Sequence, residues 1–233
     1  MNADVEKISR VYNTEGKFVQ ISDDPVCFHL SNPEGKKLYI SSGIHGNEAS
    51  GPIALSNFIK YPNLFKGVDT TIIPILNRYG YSHNTRYNQK GVDLNRDYKS
   101  ARQKETKNHL KLIEDKTYDL VICLHESHKA TGCFIYKPNQ NKRLDVMEEI
   151  LIAMSQIMPI DNRHSEWKLE IERGILKDTK YKEHHWTEAV YFSHKNIPAF
   201  TIEVPKATPL QQRIVTFQAA ITKAVELLNE NII

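Results

Sequence analysis

Apolar residues in this chain gather in short runs, separated by stretches where they recur every three or four positions. Val26–Leu30, Lys37–Ser42, Thr70–Leu76, Asp119–Leu124 and Ala199–Ile202 have strand length and strand composition. Thr70–Leu76 is rich in β-branched residues, and Pro74 within it predicts an edge position or the end of the strand. Asp119–Leu124 is almost continuously apolar, as in a sheet covered on both faces. Further strands are read near Lys7–Tyr12 and at Leu169–Ile175, with Asn32-Pro33-Glu34-Gly35 as a turn. Helical spacing covers Glu48–Lys60, with Pro52 in its first turns, and Ala101–Lys116. It recurs over Asn141–Ile157, around Trp186–His194, and from Pro209 to Asn229. Strands alternating with helices predict an α/β sheet with helices on both faces. Ligands of such sheets bind outside the carboxyl ends of the strands, and His45, Asn77, His125 and Glu203 all follow predicted strands.

One segment breaks the pattern. From Asn77 to Tyr98 the chain is Asn, Arg, Tyr, Gly and His with no hydrophobic period; a polar segment of that length inside a domain is usually functional or disordered, and its Tyr, Arg and Asn content favours function. No Pro/Gly/Ser-rich linker divides the 233 residues, so 1–233 is read as a single domain. A net charge of +3 without a basic block argues against nucleic-acid binding. Met1–Arg10 has no apolar core of a secretory signal, and no apolar run is long enough to span a membrane. Cys27, Cys123 and Cys133 are too scattered for a disulfide framework. Cys123, within an apolar run, is read as a small packed hydrophobe, with a nucleophilic role beside His125 as the alternative. A cytoplasmic location is the expectation.

The chemistry begins at Gly43-Ile44-His45-Gly46-Asn47-Glu48. A strand delivering His45 to a loop, with Glu48 near the first helical turn, can aim an imidazole nitrogen and a carboxylate oxygen at one point. Zinc accepts that pair and needs three protein ligands plus an open position for water. The alternative is a turn with a capping carboxylate. His125, ending the buried strand, could supply the third ligand. His125-Glu126-Ser127-His128 fails as a His-Glu-x-x-His helix, since His128 comes three residues on and the segment ends a strand. Arg96 could grip a carboxylate through paired hydrogen bonds, or be a surface arginine. Glu203 follows an apolar strand and, if buried, needs a cation, a donor or a role.

Taken together, these strings resemble the zinc carboxypeptidases of the M14 (carboxypeptidase A) type. They are His45-Gly46-Asn47-Glu48, Arg86-Tyr87-Asn88, Gly91-Val92-Asp93-Leu94-Asn95-Arg96-Asp97-Tyr98, His125 after its strand, and Thr201-Ile202-Glu203. They keep the family's order across about residues 36 to 205. The resemblance implies one zinc per chain on His45, Glu48 and His125. It implies Arg86 at the scissile carbonyl, Asn95 and Arg96 on the substrate's terminal carboxylate, and Glu203 as general base. The fold implied is a mixed, mostly parallel sheet of about eight strands flanked by helices. Asn77-Arg78-Tyr79-Gly80 stands where the family commonly has Asn-Pro-Asp-Gly, and Tyr181 is the candidate for the family's mobile substrate-binding tyrosine on distance alone. The short chain resembles the compact bacterial members, such as murein-peptide amidases, and the related aspartoacylase and succinylglutamate desuccinylase branch. The expected substrate is therefore a peptide with a free carboxylate or, alternatively, an N-acyl amino acid.

Overall fold

The computed structural model describes residues 18–138, 143–166, 169–180 and 186–233. Ten strands form one mixed sheet. Its order is β1(Phe18–Asp23), β2(Val26–Leu30), β4(Val68–Ile75), β3(Lys36–Ser41), β5(Leu120–Ser127), β10(Ala199–Pro205), β6(Phe134–Lys137), β9(Ile175–Lys177), β8(Leu169–Glu172) and β7(Ser165–Glu166). The centre, β4-β3-β5-β10, is parallel, and antiparallel pairs adjoin it on both sides. The helices of the described residues are α1(Ser50–Lys60), α2(Arg78–Ser82), α3(Lys104–Ile113), α4(Leu144–Ser155), α5(Glu188–His194) and α6(Leu210–Asn229).

Side-chain alternation along the central strands divides the core. Leu38, Ile40, Ile122, Leu124, Phe200 and Ile202 turn to the face covered by α1, α4 and α6. Tyr39, Val121, Cys123 and Ala199 turn to the other face, against Ile113 of α3 and Phe192 of α5. On α6 the buried residues Ile214, Phe217, Ile221, Ala224 and Leu228 recur at helical spacing and make one apolar stripe.

The sheet is wider than expected because three short strands, β1, β6 and β7, carry too little pattern to be predicted and because Leu169–Ile175 is not one strand. It divides into β8 and β9, paired antiparallel through Glu172 and Ile175. The intervening Arg173 and Gly174 both have positive φ, the conformation of a two-residue hairpin turn. Pro74 lies in an interior strand, near its end, where β2 and β4 shift register between Val26 and Phe28. The irregularity lets a residue without an N–H sit there. The strand read near Lys7–Tyr12 and the first residues of the helix read from Asn141 fall outside the described residues. All three cysteines are free and buried.

Candidate metal centre and substrate cleft

The loop after β3 stays tied to the end of β4: Gly43 O accepts from Asn77 N at 2.9 Å. Gly43 takes φ 64°, which favours glycine. At Gly46 the requirement is closeness, since a Cβ there would stand 1.8 Å from the carbonyl carbon of Gly80. Buried Asn77 accepts from Gly80 N at 2.9 Å, capping α2, and donates through Nδ2 to Ile44 O (3.3 Å) and Arg86 O (3.4 Å). One asparagine thus joins the His45 loop to the Arg86 loop, which explains Asn77 and Gly80 without the residues between them.

Three side chains converge beyond this loop. Glu48 Oε1 is 2.7 Å from His45 Nδ1, and Glu48 Oε2 is 3.0 Å from His125 Nδ1. The two Nδ1 atoms are 3.2 Å apart. All three residues are buried and offer ligand atoms within 4.8 Å of one another, the one such group among the described residues. Facing imidazole nitrogens and a carboxylate concentrate lone pairs at one point, and a divalent cation satisfies them better than shared protons do. The residues fit a metal ion. Burial pushes the Glu48 carboxyl up, but the charges of His45 and His125 and their hydrogen bonds outweigh it and hold Glu48 well below the ordinary range. Burial alone would lower the His45 pKa; Glu48 and Asp93 reverse this and raise it.

His125 and Glu203 are direct partners in the β5–β10 register, so their side chains share a face. Both lie inside their strands rather than just past them, as the sequence suggested. Glu203 is buried, and no side chain of the described residues hydrogen-bonds to it. Burial, opposed by His125 and reinforced by Glu48, pushes its pKa up to about 8. Cys123, two residues before His125, is buried and its thiol is raised far above the range of a nucleophilic thiolate by desolvation.

Asp93 holds the centre from outside, a role not read from the sequence. Its Oδ1 stands 3.3 Å from His45 Nε2, and its Oδ2 accepts from Arg86 Nε (3.0 Å) and Nη2 (2.7 Å). Burial raises the Asp93 pKa, but its partners His45 and Arg86 bring it well below the usual carboxylate value. A carboxylate behind a ligating imidazole orients that ring. Arg86 in turn reaches Glu48 Oε1 at 3.9 Å. Asp93 also caps the turn at Leu94–Arg96 by accepting from Asn95 N at 2.9 Å. Asn95 is fixed through its Oδ1, which accepts from Glu188 N at 2.9 Å. Arg96 is exposed, its Nη1 donating to Asn95 O at 2.7 Å.

These groups share one cleft of about 560 Å³, with His45, Glu48, His125, Arg86, Asn95, Arg96 and Glu203 in its lining. The cleft is also lined by groups that no sequence motif singles out, among them Tyr136, Glu166 and Asp178. These stand on β6, on β7 and just after β9, whose short strands carry too little periodicity to be recognised. Tyr181 falls outside the described residues.

A mixed sheet with a buried His-Glu-His cluster at the carboxyl ends of its parallel strands is the arrangement of the metallocarboxypeptidase-like α/β proteins. The chain belongs to the succinylglutamate desuccinylase/aspartoacylase catalytic domain family, whose sequence profile matches residues 34–228. No curated protein matches the chain. Among solved structures it is similar to a protein of Shewanella denitrificans described as a metallopeptidase. The TM-score is 0.78 at 20% identity, over 91% of this chain and 84% of that one. It is also similar to a metallo-carboxypeptidase from Burkholderia cenocepacia, with TM-score 0.72 at 14% identity over 98% of this chain and 67% of that one. A metallo-carboxypeptidase from Pseudomonas aeruginosa in complex with (2-guanidinoethylmercapto)succinic acid gives a TM-score of 0.69 at 16% identity, over 97% and 67%. At these identities the likeness is one of fold.

Proposed function

We propose that this protein is a zinc-dependent hydrolase that cleaves an amide or peptide bond next to a free carboxylate, an activity of the metallocarboxypeptidase type. The observation that carries the proposal is the convergence of His45, Glu48 and His125 in one cleft with the buried acid Glu203. Two nitrogens and one carboxylate are a donor set typical of catalytic zinc. When bound, zinc lowers the pKa of a water toward ~7 and polarises a carbonyl.

The chain's own groups supply the remainder. Glu203 accepts the proton of the attacking water and returns it to the leaving amine. Burial raises its pKa in the metal-free protein, and a bound cation would favour the carboxylate form that accepts the proton. Arg86, held through Nε and Nη2 by Asp93, presents Nη1 toward the ligand cluster, where it can stabilise charge developing on the carbonyl oxygen. One such donor is typically worth about 10²–10³ in rate. Asn95 and Arg96 take the substrate's carboxylate, the arginine through its planar fork.

Membership of the desuccinylase/aspartoacylase family favours a second reading, an N-acyl-amino-acid deacylase built on the same centre. The two differ in which side of the amide is read. No helix of the described residues is long and apolar enough to cross a membrane, and a cytoplasmic setting is part of the proposal. Zinc-loaded protein should be assayed on a dipeptide library beside N-acetylaspartate and N-succinylglutamate. Cleavage of dipeptides alone supports the peptidase, and cleavage of the N-acyl amino acids alone supports the deacylase. Failure on all of them by protein that holds zinc would refute hydrolysis of carboxylate-bearing amides.

A further inference from the structure

We infer that Glu126 and Arg213 are positioning residues for the ligand Glu48, so that metal affinity depends on the last helix of the chain. The inference rests on the metal-ligand reading of His45, Glu48 and His125. It starts from strand parity. His125 turns its side chain to the face of Glu203; Glu126, the next residue, must turn to the opposite face, toward α1 and α6. That orientation turns the Glu126 side chain away from the face that carries His125 and Glu203, although the residue adjoins a ligand.

What Glu126 does there is set out by its hydrogen bonds. Its backbone N–H donates to Glu48 Oε2 at 3.0 Å, so it contacts the ligand carboxylate directly. Its Oε1 accepts from Ser50 N at 2.8 Å and from Ser50 Oγ at 2.5 Å, at the start of α1 and two residues past Glu48. Its Oε2 accepts from Arg213 Nη1 at 2.5 Å, in the first turn of α6. The Glu126 side chain is fully buried and that of Arg213 is 13% exposed. A buried carboxylate is costly unless paired and hydrogen-bonded, and here one arginine and two serine donors satisfy it. Glu48 is therefore held directly at its carboxylate and, through Ser50, by the chain that follows it. Both attachments run through one residue.

A ligand oxygen must be held in place before the ion arrives, and partners one step behind the ligands typically change metal affinity by about 10–100-fold. Without the Arg213 charge, the Glu126 carboxylate is a buried anion that has lost its paired cation. The Ser50 attachment, and with it the chain that carries Glu48, then loosens.

The test is Zn²⁺ affinity, measured by competition with a chromogenic chelator, alongside the melting temperature of the metal-free protein. The proteins compared are wild type, Glu126→Gln, Arg213→Met, Arg213→Lys, Ser50→Ala and Phe217→Leu. Glu126→Gln and Arg213→Met should weaken Zn²⁺ binding by about 10–100-fold, with Ser50→Ala smaller in effect and Arg213→Lys partly restored. Phe217→Leu, a core change in the same helix, should lower the melting temperature and leave affinity unchanged. Unaltered affinity in both Glu126→Gln and Arg213→Met would overturn the inference, as would a loss no greater than that of Phe217→Leu at matched melting temperature. Should either of the two fail to fold, Ser50→Ala and Arg213→Lys read the same quantity with smaller perturbation. Wild type without Zn²⁺ affinity would remove the ligand reading itself. Tight wild-type binding with unmoved variants removes only this inference.

Discussion

Replacing Glu203 by Gln keeps the size and shape of the buried side chain and removes its capacity to accept and return a proton. In the zinc-loaded enzyme, kcat should fall by about 10²–10⁴, the usual worth of a positioned acid–base group. Zinc content should be unchanged, because the ligand atoms belong to His45, Glu48 and His125. Stability should move the other way. In the metal-free protein burial raises the Glu203 pKa from 4.5 to about 8. The folded state then holds this proton more tightly than the unfolded chain does. The stabilisation is complete below the unfolded value and is lost as pH rises through the folded one. At ~1.4 kcal/mol per tenfold, the rise amounts to a few kcal/mol. Metal-free Glu203→Gln has no proton to lose there, and should gain on wild type at pH 9 relative to pH 5. Three measurements on one variant decide the matter: kcat, zinc content, and urea denaturation of the metal-free protein at the two pH values. A variant that keeps activity and melts lower would show that Glu203 is a structural acid, and the proposed base would be wrong.

Other outcomes follow from the same geometry. His45→Ala or His125→Ala should abolish tight zinc binding, and full zinc occupancy in His125→Ala would mean that a different group is the third ligand. Arg96→Lys should weaken handling of free-carboxylate substrates, because a point charge cannot replace a planar fork; converting the substrate to a C-terminal amide should then cost wild type far more than the variant, and equal losses would count against Arg96. His109 is buried between Tyr39 and Tyr98, at 2.7 Å from each hydroxyl, and burial lowers its pKa from 6.5 to about 3. Its contribution to stability is present above pH 6.5 and lost as pH falls from there toward 3. The melting-temperature gap between wild type and His109→Gln should therefore narrow on acidification, whereas a gap constant with pH would show that His109 does not titrate against folding.

Much of the architecture was legible because it is local. The apolar runs at Val26–Leu30, Asp119–Leu124 and Ala199–Ile202, and the periodic stretch after Pro209, each carry enough residues to declare their period. The short strands β6 to β9 do not, and the Arg173-Gly174 turn within an otherwise strand-like run offers only a single glycine as signal. His45 and Glu48, three residues apart around one turn, could be paired from spacing alone. His125, Arg96 and Glu203 were candidates from the residues themselves; the resemblance to a known family added Arg86 and Asn95 and the role of each.

Sequence order by itself determined which residue types this chain makes available to a site, and that strands would deliver them. Only the tertiary structure decided how they meet. His45 and His125 stand 80 residues apart, and the parallel pairing of β3 with β5 and of β5 with β10 is what brings their neighbourhood together. The same register puts Glu203 beside His125 and sends Glu126 to the opposite face, to Ser50 and Arg213. Asp93 stood in the sequence only as one residue of the Gly91-Val92-Asp93-Leu94-Asn95-Arg96 string, with no role of its own, yet it touches both His45 and Arg86. The physical reason is that hydrophobic periodicity records which face a residue buries. The partner strand and its register are settled only when distant segments close into one sheet and satisfy their backbone hydrogen bonds together.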